Sequence, residues 1–176
     1  SLKRMSNNTS PGNDGFTVEF FKFFWSDIGI FLVRSVNYAF LTGELSVTQK
    51  QGVITCIPKG NKDKTILKNW RPISLLNVSY KLASSSIAFR IKHVLNKIIN
   101  EDQTGFLPGR LMATNIRLLY DILFYTEKHE IPGLLLLIDF AAAFDTVSWQ
   151  FMYKVLEFFN FGQSIRRWVQ LFYTNI

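Results

Sequence analysis

Five consecutive large apolar residues, Leu134-Leu135-Leu136-Leu137-Ile138, follow a Pro132-Gly133 turn signal and end in Asp139. A run this short and this apolar, opened by a turn, reads as a buried strand. A carboxylate at the C-terminal end of such a strand is costly unless it is solvated, paired or bound to a cation. Coordination of a divalent metal is the least costly arrangement. The competing reading is that Asp139 only closes a strand or caps the next segment, as Asp often does. A second acid, Asp145, lies six residues on. On an extended chain the two would share a face, whereas a helical turn after Phe140 would break that parity. The spacing therefore does not establish a shared metal.

The chain has 176 residues, of which 48% are apolar and 17 are Phe. That is enough for one domain with a core, or for a piece of a larger one. The single cysteine, Cys56, excludes an internal disulfide and fits a reducing, intracellular setting, cytoplasm or nucleus. Ser1-Leu2-Lys3-Arg4 leads into polar Asn7-Asn8-Thr9-Ser10, so no secretory signal is expected. No stretch approaches the roughly 18 apolar residues that span a bilayer, so no membrane partner is expected.

Charge is unevenly distributed. Between Lys50 and Arg110 there are 11 Lys/Arg against 3 Asp/Glu, a balance of +8, while the rest has 9 against 10, a balance of −1. The whole excess of +7 sits in one third of the chain. Such a localised field favours a polyanion, most often nucleic acid. A Lys-rich solubilising surface is the other reading, and charge alone does not choose between them.

The pattern is helix-rich with a small β component, an α+β chain. Residues 1–15 read as an irregular lead-in, dense in turn formers at Ser10-Pro11-Gly12-Asn13-Asp14-Gly15. Helices are expected over Thr17–Trp25 and about Asp27–Leu41, the second ending near Gly43. The aromatics Phe20, Phe21, Phe23, Phe24 and Trp25 are expected in the core. Gln51–Ile57 is strand-like and stopped by Pro58, and Trp70–Leu76 reads as the returning strand of a hairpin with a basic tip. A long helix is expected over Ser79–Ile99, with Leu82, Ser86, Phe89, Val94 and Ile98 near one face. A loop with Gly105, Pro108 and Gly109 precedes a helix over Met112–Lys128. After the Leu134–Asp139 strand, Ser148 caps a helix over Trp149–Phe159 that Gly162 ends, and another helix starts at Ser164.

Two signals on the hairpin belong together. Lys59 ends one arm, and Arg71, stiffened by Pro72, lies on the other. A Lys and an Arg so placed can reach one phosphate, as a point charge and a planar fork, or they are two solvated charges. In the later loop, Phe106 can pack beneath a base and Arg110 can contact a strand backbone. Without context it is simply a loop.

Taken in order, the chain reads Ser10-Pro11-Gly12-Asn13-Asp14-Gly15-Phe16, Ile57-Pro58-Lys59, Trp70-Arg71-Pro72-Ile73-Ser74-Leu75, Gln103-Thr104-Gly105-Phe106 with Gly109-Arg110, and Leu137-Ile138-Asp139-Phe140 through Ala143-Phe144-Asp145. Five motifs in this order resemble the reverse transcriptase domain of non-long-terminal-repeat retrotransposons, the long interspersed element type. The resemblance implies a right-hand polymerase, with residues 16–130 in the fingers and 131–176 at the start of a truncated palm. It implies RNA-directed DNA polymerase activity on an RNA template, a DNA primer and deoxynucleoside triphosphates, with two Mg²⁺ ions in the complete enzyme. Asp139 matches the first catalytic, metal-binding aspartate, and the backbone carbonyl of Phe140 a further metal ligand. Lys59 and Arg71 match the residues that hold the triphosphate, Phe144 the aromatic beneath the incoming sugar, and Arg110 the loop near template and nucleotide. Asp145 receives no assigned role.

Two departures accompany the match. Ala141-Ala142 stand where the family usually carries an acidic–basic pair. No adjacent Asp-Asp pair, the family's later metal-binding turn, occurs in the 176 residues. The isolated chain is therefore expected not to polymerise, and its palm surface is expected to self-associate. A non-catalytic nucleic-acid-binding module on the same scaffold is the alternative.

Overall fold

The computed structural model describes residues 1–140 and 143–174, apart from the side chains of 143 and 144. The chain divides into two compact units, Ser1–Phe89 with Asn160–Ile176, and Arg90–Phe159.

In the first unit, α1 (Val18–Phe23) opens on Thr17, whose hydroxyl accepts from Phe20 N–H at 3.4 Å. Phe24 closes α1 and opens α2 (Trp25–Thr42). Gly43, at φ 82°, ends α2 in the left-handed conformation glycine adopts without strain, and its N–H returns to Ala39 O at 2.8 Å. The short α3 (Val47–Lys50), not foreseen from sequence, forms on a reciprocal capping box between Ser46 and Gln49. β1 (Gly52–Pro58) and β2 (Trp70–Leu76) then pair antiparallel, from Gly52 opposite Leu76 to Pro58 opposite Trp70. The long α4 (Val78–Ile98) comes next.

The core lies where the ends of this unit meet. Leu2, Val18, Phe21 and Val78 are buried together, with Met5, Phe20, Trp25, Ile28, Leu32 and Leu82 against them. The lead-in is not wholly irregular: Leu2–Arg4 is a turn of 3-10 helix that brings Leu2 inside. Lys22 Nζ fastens the next residues by donating to Met5 O at 2.7 Å and Asn7 Oδ1 at 2.6 Å. α8 (Gln163–Tyr173) returns late in the chain and buries Val169, Leu171 and Phe172. Tyr80 donates its hydroxyl to Phe172 O at 2.8 Å, and Phe40 stacks on Trp168 at 4.4 Å. Burial, with a lesser effect of Tyr173, raises the Tyr80 phenol to about 12.

The second unit contains the last turns of α4, then α5 (Met112–Lys128), α6 (Ala143–Thr146) and α7 (Trp149–Phe158). Several expectations need correction here. The Leu134–Asp139 segment has no strand hydrogen bonding, and its five apolar residues are 50–90% exposed. A strand exists only through a neighbour's backbone, and the only sheet among the described residues is β1–β2. α6 makes the chain helical just before Asp145, so the extended-chain parity of Asp139 and Asp145 does not hold. Asn160, at φ 55°, lies just past the end of α7, and Gly162 instead opens α8.

Two corrections fall in the first unit. Phe23 is 79% exposed and Phe24 is also exposed, because α1 is too short to turn every aromatic inward. α4 buries Val78, Tyr80, Ala83 and Ile87 rather than one stripe through Phe89 and Val94, because it packs in two directions.

Candidate functional site

The hairpin places the two expected phosphate ligands on one face. Ile57 is opposite Arg71, and beyond the last strand pair Lys59 N–H still donates to Asn69 O at 2.7 Å. Lys59 therefore shares the Ile57 face and is the diagonal neighbour of Arg71, a relation that separates Cα atoms by about 7–8 Å. The Lys59 ammonium donates to Lys68 O at 2.6 Å, and Arg71 is exposed.

The tip between the strands is ordered by its own side chains. Asp63 Oδ1 accepts from Thr65 N–H at 2.9 Å and Thr65 Oγ1 at 2.7 Å, bonds that hold its carboxyl below the usual range. Asn69 Nδ2 donates to Asp63 O at 2.7 Å, and Trp70 Nε1 donates to Lys64 O at 2.9 Å. The one acid of the tip is thus turned onto the loop. Among the described residues no ion pair involves Lys59, Lys62, Lys64, Lys68 or Arg71, so the positive field of the tip is undiminished.

The root of the hairpin is held by a residue that sequence reading missed. Asn77 is 1% exposed. Its Nδ2 donates to Thr48 O at 2.6 Å, and its Oδ1 accepts from Asp14 N–H at 3.2 Å. A side chain at Gly12 would meet Asn77 Oδ1 at 2.1 Å and the backbone N of Asn77 at 2.4 Å. Glycine is therefore required where the Ser10–Gly15 loop seats on the end of β2. Asn13 Nδ2 adds a bond to Gln51 Oε1 at 3.2 Å. From sequence, Asn77 is only a polar residue between a strand and a helix, and it reads as a cap.

In the second unit, Arg110 closes the C-terminal end of α4. Its guanidinium donates to the carbonyls of Asn100, Gln103 (2.8 Å), Asn96 (3.3 Å) and Ile99 (2.9 Å). Helix C-termini leave such carbonyls without partners and attract cations. The sequence reading set Arg110 beside template and nucleotide; the structure gives its donors to backbone.

Asp139 and Phe140 are exposed and lie outside any helix or strand. The argument that burial obliges Asp139 to hold a cation therefore has no support in this structure. Phe144 lies in α6, but its side chain, like the residues Ala141-Ala142, is outside the described residues. Among the described residues no three His, Cys, Asp or Glu side chains converge as a metal site. One carboxylate and one carbonyl are oxygen donors of the kind Mg²⁺ takes, few in number and completed by phosphate and water. Asp139 with the Phe140 carbonyl fits part of such a donor set, not the whole. Lys59 and Arg71 belong to the first unit; Arg110, Asp139, Phe140 and Phe144 belong to the second.

Residues 57–176 match the family model of the reverse transcriptase (RNA-dependent DNA polymerase). The matched span begins at the residue opposite Arg71 and includes every expected site residue. The chain belongs to this family, and it is an RNA-directed DNA polymerase by family. It is 35% identical over 175 residues to the transposon TX1 uncharacterized 149 kDa protein of Xenopus laevis, covering 99% of this chain and 13% of that protein. It is 29% identical over 169 residues to the retrovirus-related Pol polyprotein from type-2 retrotransposable element R2DM of Drosophila melanogaster, covering 95% of this chain and 15% of that protein. Both relatives are named as products of transposable elements, and the recognition drawn from the ordered motifs stands. The chain spans less than a sixth of the length of either.

Proposed function

We propose that this chain supplies the fingers, over residues 16–130, and the first part of the palm, over residues 131–176, of an RNA-directed DNA polymerase that extends a DNA primer on an RNA template inside the cell. The single observation that carries the reading is the placement of Lys59 and Arg71 as diagonal neighbours on one face of a cationic hairpin, within the span that matches the family. In that role Arg71 takes two oxygens of the β- and γ-phosphates and Lys59 leaves Lys68 O to neutralise a third. Phe144 lies beneath the sugar and disfavours a 2′-hydroxyl. Asp139 and the Phe140 carbonyl hold one side of a Mg²⁺ ion. Bound there with a second ion, Mg²⁺ would stabilise charge on the attacking and leaving oxygens.

Equilibrium binding of a deoxynucleoside triphosphate to the protein with primed RNA tests the clamp. Lys59→Ala and Arg71→Ala should each weaken nucleotide affinity by about tenfold while leaving the thermal midpoint unchanged. A midpoint that falls in step with affinity would make both residues structural. The 176 residues contain no Asp-Asp pair, so the isolated chain should bind primed RNA without extending it; measured extension refutes that part of the proposal. The alternative, a non-catalytic nucleic-acid-binding module, draws support from the exposure of Asp139 and the lack of a converged ligand cluster among the described residues. Loss of activity in the whole protein on Asp139→Asn, with template binding retained, separates the enzyme from the module. The exposed apolar residues of α5 and of 134–138 further support self-association of the chain on its own, which sedimentation across a concentration series measures.

A further inference from the structure

The loop after α4 displays Phe106 in an unusual way. Its ring is 87% exposed, and its backbone is left-handed, at φ 63°. A bulky side chain in that region is strained, and such strain persists only where the surroundings over-determine it. Here they do. Arg110 binds four carbonyls behind the loop. Asn96 Nδ2 donates to Pro108 O at 3.0 Å, and Asn115 Nδ2, on α5, donates to Asp102 O at 2.8 Å. Within the loop Gln103 Nε2 donates to Gly105 O at 3.3 Å, Asp102 N–H donates to Asn100 Oδ1 at 2.8 Å, and Thr104 is buried. The loop is fastened from both flanking helices, and its largest apolar side chain is left facing outward.

We infer that residues 101–110 form a preformed stacking platform on which Phe106 receives a base of single-stranded nucleic acid, with Arg110 as the positioning residue that builds it. The inference rests on the polymerase reading above for the class of ligand. The charge of the loop supports an aromatic contact rather than a phosphate clamp. Its side chains include two acids, Glu101 and Asp102, and one cation, Arg110, whose donors are already on carbonyls. A flat ring held outward accepts any base on its π-face and loses little freedom on binding.

The test is equilibrium binding of the 176-residue chain to a fluorescently labelled single-stranded oligoribonucleotide over a range of salt concentrations. Phe106→Ala should weaken binding about 5- to 140-fold, the range that stacking of one base supplies. The salt slope and the unfolding midpoint should not change, because no phosphate contact and no core packing are lost. Phe106→Trp, which keeps a ring, should restore affinity. Arg110→Ala should weaken binding to a similar degree, and the double variant should bind no more weakly than Phe106→Ala alone, since Arg110 acts through the ring. Unaltered affinity in Phe106→Ala overturns the inference, as does a fall in its unfolding midpoint matching the loss of binding. Additive losses, with a salt slope reduced by about one in Arg110→Ala, would place Arg110 on a phosphate and overturn the positioning role. An unaltered chain that binds no oligonucleotide defeats the polymerase reading together with this one, whereas binding that ignores Phe106 defeats this inference alone.

Discussion

Ser1–Phe89 with Asn160–Ile176 holds every buried apolar side chain found among the described residues, and Arg90–Phe159 holds none. The contrast does not come from hydrophobicity. The second unit has Ile116, Leu123, Phe124, the 134–138 run and Phe151, all large and all exposed. What the first unit adds is opposing faces. Leu2 meets α1 and α4, and Phe172, 92 residues from Tyr80, meets its ring and accepts its hydroxyl hydrogen bond. Apolar surface leaves water only when another surface receives it. In the second unit, order around the α4 terminus comes from hydrogen bonds instead, chiefly those of Arg110, Asn96 and Asn115. A hydrophobic pattern thus states what must be covered, not what covers it.

The largest effect that could break this contrast is a core truncation. Phe21→Ala, at a ring 7% exposed, should lower the unfolding free energy by about 3–5 kcal/mol. Phe124→Ala, at a ring 68% exposed in α5, should change it by less than about 0.5 kcal/mol. Chemical denaturation of both variants decides; equal losses would mean that the second unit has a core after all. Next is Gly12→Ala, where the added methyl would sit 2.1 Å from Asn77 Oδ1. It should cost about 1–3 kcal/mol, and hydrogen exchange at the Asp14 amide should rise. Unchanged protection there would show that the loop is not held by Asn77.

Tyr80→Phe should cost about 1 kcal/mol for the bond to Phe172 O. Its pH dependence is sharper. The folded phenol, at about 12, lies above an unfolded value of about 10, so the native state favours the protonated form. That contribution is whole below about pH 10 and is lost as pH rises through about 12. The unaltered chain should therefore lose stability across this window more steeply than Tyr80→Phe; parallel curves would contradict the assigned shift. The smallest effect belongs to the hairpin. Asp63→Asn weakens only the turn at an exposed tip and should move the midpoint little, within about 0.5 kcal/mol, while adding one positive charge to the local balance and strengthening oligonucleotide binding at low salt. A large fall in the midpoint would make the tip a structural element rather than a display of charge.

Much of the architecture was readable along the chain because its signals are local. α5 falls over Met112–Lys128 and β2 over Trp70–Leu76, as periodicity and turn residues predict. The hairpin register comes from two strands and a short polar connection. The family was readable because motif order survives where each motif alone is weak. The short α3, the buried Asn77 and the carbonyl clamp of Arg110 were not readable, since each depends on partners that the local pattern does not name. Arg110 in particular carries the same guanidinium whether it serves a phosphate or a helix end; only the placement of four carbonyls around it distinguishes the two. The Leu134–Ile138 run is the plainest case, an apolar stretch that reads as a buried strand and stands exposed without a neighbour to pair with.

By itself the sequence determined the helical segments, the hairpin, the concentration of positive charge between Lys50 and Arg110, and membership in a polymerase family. Periodicity, turn chemistry and motif order are properties of neighbouring residues, and they do not depend on what lies across from them. Tertiary structure alone decided which apolar faces are buried, that Asn77 fastens the Ser10–Gly15 loop, that Arg110 faces backbone and that Phe106 faces outward. Burial and hydrogen bonding are relations between distant segments, and they exist only once those segments meet.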